Sequence, residues 1–189
     1  MKRTKYYQEV YRVDENSGRV IIDVALERYL DYFHEWDNSN FKRRDLHPDL
    51  AEFLDVCSRE IPLHKKLKLV FAIKLREEDP QKEIVITKSY HHYYVAHLNY
   101  VDREIRRKLR FSALVALIAI FIIATYYSIS SPTSSIFGYR VLREGIFIGG
   151  WVFMWEAFHI IAFQTLDPLR RRRELKRFLE AELIFDPYM

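Results

Sequence analysis

One segment constrains the fold of this chain more than any other: residues 111–130 contain no charged side chain. The remainder is strongly charged, since Asp, Glu, Lys and Arg make up 30% of the 189 residues. A helix of twenty residues is about 30 Å long, which matches the hydrocarbon thickness of a bilayer. A small soluble domain rarely buries such a helix on all sides. The segment therefore predicts a transmembrane helix.

A second apolar segment covers residues 145–166 and is also long enough to span a bilayer. It is less uniform, because Glu156 and His159 lie inside it. The connection between the two segments begins with a Ser-Pro-Thr-Ser-Ser stretch that is typical of a turn. We therefore expect a transmembrane hairpin over residues 103–166, with helices at about 111–130 and 145–166.

Basic residues flank the outer ends of this hairpin and set its expected orientation. By the positive-inside rule they place both termini in the cytoplasm of a bacterial inner membrane. Anionic lipid headgroups are their expected partners. The arginines concerned are Arg106, Arg107, Arg110, Arg170, Arg171, Arg172 and Arg173. Residues 1–102 carry 17 basic and 18 acidic side chains, so no basic surface for nucleic acid is expected there.

Residues 1–102 are expected to form a small cytoplasmic domain. Residues 5–13 and 19–25 are β-prone around a turn and predict a β-hairpin. Helical spacing predicts helices over residues 26–36 and 45–60, the second with Leu50, Phe53, Leu54 and Cys57 facing inward. Residues 66–75 predict a strand inside a small sheet. The helix that starts after Pro80 is expected to run unbroken into the first membrane helix, and the fold class is α+β.

The final segment, residues 167–189, is expected to be a cytoplasmic, basic tail. Its apolar residues alternate with the arginine run as in an amphipathic helix lying at the membrane surface. Residues 182–185 follow that helix and could return as an edge strand of the cytoplasmic sheet. No cleavable signal peptide is expected, because the basic start is not followed by an apolar core.

Three motifs resemble a group of bacterial proteins that have two transmembrane helices and an N-terminal cytoplasmic domain. These are residues 36–46 (WDNSNFKRRDL) followed by Glu52 and residues 60–62 (EIP), residues 150–156 (GWVFMWE), and residues 168–173 (PLRRRR). Residues 162–168 (AFQTLDP) depart from the more aromatic exit of that group. The resemblance covers most of the chain and implies this topology, but it implies no activity.

Glu156 and His159 form the most informative polar pair, because ionisable groups near the middle of a bilayer are costly and normally face a partner or water. Three interpretations stay open: a structural pair that joins helices, a residue lining a pore or proton path, and a metal site. A Glu-x-x-His pair is a ligand unit of di-iron helical bundles. The hairpin has too few further carboxylates for such a site, so no metal is expected.

Small and aromatic residues of the second helix predict close helix packing. Gly145 and Gly149 have the G-x-x-x-G spacing that lets another helix approach. Gly150, Trp151 and Trp155 belong to the same packing surface. Two helices cannot bury a glutamate and a histidine by themselves, so a homo-oligomer or another membrane protein is the expected partner.

The cytoplasmic domain offers two further candidates for chemistry. Asp37, Arg43, Arg44 and Asp45 form a charged loop, suited to capping and salt bridges or, alternatively, to an anionic nucleotide. His91, His92 and His97 have spacings that do not share one helix face, which favours an aromatic, amphipathic helix over a metal site. The sequence contains no phosphate loop, nucleophile elbow or HExxH motif. No catalytic residue and no cofactor are therefore expected.

These features favour a non-enzymatic membrane protein that couples a cytoplasmic sensing or docking domain to an oligomeric transmembrane assembly. A sharper version is a membrane-perturbing effector of the antiphage type. One alternative is an accessory or structural subunit of a larger membrane complex. Another is a membrane metalloenzyme that uses Glu156 and His159.

Overall fold

The computed structural model describes residues 3–33, 46–73, 80–128 and 137–187. It is a mixed α/β structure with a small parallel sheet and two long apolar helices. In chain order the elements are helix α1 (Arg3–Val10), strand β1 (Val20–Leu26), a 3-10 helix (Tyr29–Tyr32), α2 (Pro48–Glu60), β2 (Leu67–Ile73), α3 (Pro80–Ser128), α4 (Phe137–His159), a π-helix (Ile160–Gln164), α5 (Leu166–Leu179) and β3 (Glu182–Pro187).

The sheet has three strands in the order β1, β2, β3, and both neighbouring pairs are parallel. Leu69 of β2 lies opposite Ile22 on one side and Leu183 on the other. Every second side chain of β2, from Leu67 to Ile73, is buried, while the side chains between them are half-buried. The prediction of an interior strand here is confirmed. The prediction that residues near 182–185 return as an edge strand is confirmed as well.

The expected β-hairpin at the N-terminus is wrong. Residues 3–10 form helix α1, which buries Tyr7 against the sheet domain, and β1 pairs with β2 instead. A single antiparallel bridge between Val13 and Val20 is what remains of the hairpin. The turn itself is present, with Gly18 at φ +65°, a conformation that glycine adopts at little cost. The β-propensity of tyrosine and valine is overridden here by packing.

Two predictions for the helices that follow need correction. In place of a helix from residue 26, the described residues contain a single 3-10 helix between extended backbone at Arg28 and Phe33; residues 34–36 lie outside the described part of the chain. Helix α2 begins at Pro48, after the cap residue His47, and ends as expected before Pro62. Leu54 and Cys57 face inward as predicted, but Phe53 is 45% exposed.

The chain divides into two compact units. The first contains Met1–Asn99 and Arg172–Met189, and its core lies on one face of the sheet. Tyr94 stacks on Phe178 with ring centroids 4.8 Å apart, and the Tyr90 hydroxyl donates to the carbonyl oxygen of Phe178 at 3.0 Å. Helix α5 is therefore held in this unit by its last turns, with Leu175 and Phe178 buried.

The second unit covers Tyr100–Arg171 and contains the apolar helices. Helix α3 is continuous from Pro80 to Ser128, as predicted. Within the described residues, α3 and the α4 region are the two helices long and apolar enough to cross a membrane. Most of their large apolar side chains are exposed, Phe121 at 73% and Leu117 at 65%. Among residues 3–33, 46–73, 80–128 and 137–187, none covers these side chains.

Candidate functional site

The contacts between α3 and α4 fix how these helices pass each other inside the second unit. Tyr126 stacks near Phe147 at 4.8 Å, and its hydroxyl accepts a hydrogen bond from Arg143 at 3.0 Å. At the opposite end, Ser112 donates to the carbonyl oxygen of Ala157 at 2.8 Å. Residues late in α3 thus contact residues early in α4, and the two helices are antiparallel where they touch.

The Glu156–His159 pair lies beside the contact between Ser112 and Ala157. The Glu156 Oε2 and His159 Nδ1 atoms are 3.9 Å apart, and about half of each side chain is exposed. Ser112, which contacts neighbouring Ala157, is the second residue of the uncharged run. The pair therefore lies about 13 Å from the middle of that run, at 1.5 Å per residue.

A π-helix follows His159 and gathers further polar groups at the same level. A π-helix shifts the backbone hydrogen bonds by one residue and leaves carbonyl groups available. Thr165 Oγ1 donates to the backbone carbonyl oxygen of Ile160 at 2.9 Å. Lys108 Nζ donates to the backbone carbonyl oxygen of Gln164 at 3.0 Å. Lys108 also pairs with Glu104 at 3.0 Å. Polar side chains and backbone carbonyl groups are therefore concentrated at this end of the helix pair.

The three candidate glycines of α4 have different environments. A Cβ atom placed on Gly150 would lie 2.6 Å from Ile123 Cγ1, so Gly150 is the residue that lets α3 and α4 approach closely. No atom lies within 4 Å of such a Cβ on Gly145 or Gly149. The G-x-x-x-G face is therefore open within this chain. Trp151 and Trp155 are exposed at 57% and 63%, so neither packs in the interior of this unit.

The arginines of the expected headgroup set fall into two groups. Arg106, Arg107 and Arg110 of α3 are exposed. In α5, Arg170 and Arg173 are exposed, while Arg171 and Arg172 are half-buried. Arg170, Arg171 and Arg172 also interact with other groups of the chain.

Arg177, farther along the same run, is only 6% exposed. Its guanidinium donates to the carbonyl oxygens of Ser58 at 2.6 Å, Ile61 at 3.1 Å and Pro62 at 2.9 Å. Ser58 lies in the last turn of α2, and Ile61 and Pro62 follow that helix directly, so the guanidinium lies at the C-terminal end of α2, where a cation is favoured. Burial lowers the pKa of Arg177, and nearby Glu174 partly opposes that effect.

The structure gives little support to the candidate sites of the first unit. Asp37, Arg43, Arg44 and Asp45 lie outside the described residues. His91 and His92 are exposed, and the His97 ring stacks on Tyr93 at 4.1 Å. No group of three or more His, Cys, Asp or Glu side chains in the described segments is close enough to hold a metal ion. Burial raises the pKa of the Cys57 thiol, which lies against Tyr11.

Four residues of these arrangements were not singled out from the sequence: Ser112, Lys108, Gln164 and Arg177. Ser112 and Lys108 donate to the backbone carbonyl groups of Ala157 and Gln164, and no local pattern marks that geometry. Arg177 lies in a basic run whose members have the same charge but different surroundings. Its amphipathic position beside Phe178 was the one available signal, because a buried face can include a residue next to an apolar one.

Comparison of the chain with protein-family models, curated proteins and solved structures finds no match. The resemblance to two-helix membrane proteins therefore stays a prediction.

Proposed function

We propose that this chain is a non-enzymatic integral membrane protein of the bacterial inner membrane. In this proposal a cytoplasmic sensing or docking domain is joined to an oligomeric assembly of transmembrane helices, and both termini are cytoplasmic. The observation that carries it is helix α3, a single helix of 49 residues. Its first turns contribute Ile86, Tyr90 and Tyr94 to the core of the sheet unit, and its later turns are the uncharged run.

A continuous helix supplies the coupling that such a function needs. The backbone hydrogen bonds of α3 are unbroken across Asn99 and Tyr100, where the two compact units divide. A continuous helix can transmit rotation or displacement along its axis. A ligand or partner that displaces the first turns would therefore displace the apolar part as well.

The open face of α4 supports self-association. Gly145, Gly149 and Glu156 are separated by four and seven residues, which places them on one face of a helix. Val152, on the same face, is 61% exposed. Because glycine has no side chain beyond a hydrogen atom, the backbone of a second copy can approach α4 closely at Gly145 and Gly149. Glu156 and His159 would then find polar partners across the interface, which a bilayer-spanning helix requires.

The sharper version is a membrane-perturbing effector of the antiphage type, whose assembled helices open a conduit lined by Glu156. The exposed Trp151 and Trp155 instead favour the alternative of an accessory subunit, because exposed tryptophans on an apolar helix can pack on the helices of another protein. Retention in the membrane fraction after alkaline carbonate extraction tests the location that both versions share.

The deciding experiment is the mass of the protein purified alone in mild detergent, with metal content measured on the same sample. A defined, metal-free homo-oligomer supports the proposal. A monomer or a heterogeneous aggregate favours the accessory subunit, and the partner is then sought among co-purifying proteins. Stoichiometric metal that is lost in His159→Ala would favour the metalloenzyme.

Two variants of α4 make the test specific. Gly149→Leu fills the open face and is expected to convert the oligomer to smaller species. Phe158→Trp adds bulk at a position that is also exposed but lies on the opposite face of α4 from Gly149, and should keep the oligomer. Glu156→Gln should weaken the oligomer or abolish conductance across a planar bilayer. If Glu156→Gln leaves oligomer mass, stability and conductance unchanged, the functional interpretation of this residue is wrong.

A further inference from the structure

Four arginines form a stripe on α3 just before its uncharged run. Arg103, Arg106, Arg107 and Arg110 have the spacing i, i+3, i+4 and i+7, which places them on a single face. All four are exposed, and none forms an ion pair with any residue that the structure describes. Below, these four residues are called the arginine stripe.

The carboxylates of the same helix segment do not neutralise the stripe. Glu104 lies on another face and is paired with Lys108 at 3.0 Å. Asp102 is half-buried and has its own interactions. Four positive charges are therefore held within about 10 Å along one face, at 1.5 Å per residue, with nothing on their own helix to balance them.

The same face changes character sharply beyond Arg110. Leu114, Leu117 and Phe121 continue it at the helical spacing and are 55%, 65% and 73% exposed. A free anion or a nucleic acid would use the arginines and leave this apolar face in water. A bilayer uses both, because arginine side chains reach phosphate groups while the adjoining residues enter hydrocarbon. The polar headgroup layer is about 5–8 Å thick on each side of the bilayer, which is comparable to the length of the arginine stripe.

We propose that the arginine stripe binds the phosphate groups of anionic phospholipids at the cytoplasmic surface of the membrane. This inference rests on the proposed membrane function and deepens it. It adds Arg103 to the expected headgroup residues Arg106, Arg107 and Arg110. The stripe holds α3 at a fixed depth wherever anionic lipid is present.

The test titrates delipidated protein in mild detergent with phosphatidylglycerol and, separately, phosphatidylcholine, and counts bound lipid by native mass spectrometry. The wild type should bind phosphatidylglycerol at least tenfold more tightly. Changing all four arginines to Gln should remove this preference, because each arginine is expected to raise the affinity for the anionic lipid about fivefold. Changing all four to Lys should keep it within a few-fold. If the quadruple Gln variant does not fold, the double variants Arg103→Gln/Arg106→Gln and Arg107→Gln/Arg110→Gln each supply the measurement.

The matched control changes Arg59, Lys65, Lys66 and Lys88 to Gln, which removes the same total charge from the first unit. This control should keep the preference for phosphatidylglycerol. An equal loss in the control, or no loss in the stripe variant, overturns the inference. Displacement of the lipid by millimolar inorganic phosphate or by a short oligonucleotide also overturns it, in favour of a free-anion or nucleic-acid site.

The location assay separates this inference from the proposed function. A wild-type protein that is released by carbonate extraction contradicts the membrane function itself. A protein that stays in the membrane and forms an oligomer, but binds both lipids equally, contradicts the arginine stripe alone.

Discussion

The hydroxyl of Ser112 donates to the carbonyl oxygen of Ala157 at 2.8 Å, and Ser112 is fully buried. This contact joins the start of the uncharged run of α3 to the last turns of α4. It thereby sets the level at which Glu156 and His159 lie, close to the arginine stripe and away from the middle of the run. In the proposed membrane arrangement, a polar pair at that level lies nearer to water and headgroups, where its cost is lower than at the bilayer centre.

Ser112→Ala is expected to destabilise the contact between the two helices by about 0.6–1.7 kcal/mol, the range for hydrogen bonds between helices in membranes. The measurement is equilibrium unfolding of the detergent-solubilised protein by added sodium dodecyl sulfate. Ser128→Ala is the matched control, because the Ser128 hydroxyl donates to Ala124 of its own helix. An equal effect of the two substitutions would contradict the role given to Ser112.

Arg177→Leu is expected to destabilise the unit that contains the sheet by about 3 kcal/mol. The substitution leaves the carbonyl oxygens of Ser58 and Ile61 without the donor that satisfies them in a buried place, and a charged hydrogen bond contributes about 1.5–3 kcal/mol. Arg177→Lys should recover part of the loss, because lysine supplies the charge without the planar fork. Urea unfolding followed by circular dichroism measures the difference.

The control for Arg177 is Lys176→Gln, at an exposed position in the same turn. It should change the unfolding free energy by less than about 0.5 kcal/mol, as is usual at the surface. A comparable loss in both variants would mean that charge in the tail, and not the tie to α2, stabilises this unit.

The stability of this unit is also expected to depend on acid through Asp14. Its carboxylate accepts hydrogen bonds from Lys68 Nζ at 2.9 Å, Ser17 Oγ at 2.8 Å and the Asn16 backbone at 3.1 Å, and these bonds lower the pKa of Asp14. A carboxylate whose pKa is lower in the folded state stabilises the fold above its unfolded value of about 3.9. That contribution is lost as the pH falls from about 3.9 through the lower pKa of the folded state.

Asp14→Asn should therefore lower stability at neutral pH and flatten its dependence on pH below about 4. The two proteins are compared by thermal unfolding at a series of pH values from about 2 to 7. This series includes the range in which carboxylates titrate. Glu15→Gln, at the neighbouring exposed position, should follow the wild-type curve. Parallel curves for wild type and Asp14→Asn would show that the Asp14–Lys68 contact adds no acid-dependent stability.

The extent to which the sequence predicts this fold follows from how local each signal is. The alternation from Leu67 to Ile73 and the apolar run of α3 are local, and they correctly predict a strand and a helix, respectively. The helix over residues 3–10 was missed, because a Tyr-rich stretch before a turn favours a strand until the burial of Tyr7 is known. The tie between Arg177 and Ser58 spans 119 residues, and only the position beside Phe178 distinguishes Arg177 from the arginines before it.

Gly150 and Gly149 allow the helix pair and the oligomer to be tested separately. A valine at Gly150 would force atoms into Ile122 and Ile123 of α3, and such overpacking costs about 1–3 kcal/mol. Gly150→Val should therefore lower the dodecyl sulfate concentration at which the helix pair of a single chain unfolds. Gly149→Val meets open space within the chain, so it should leave that midpoint unchanged while weakening self-association, measured by energy transfer between labelled copies. Equal midpoints for the two variants would contradict the close approach of α3 and α4 at Gly150.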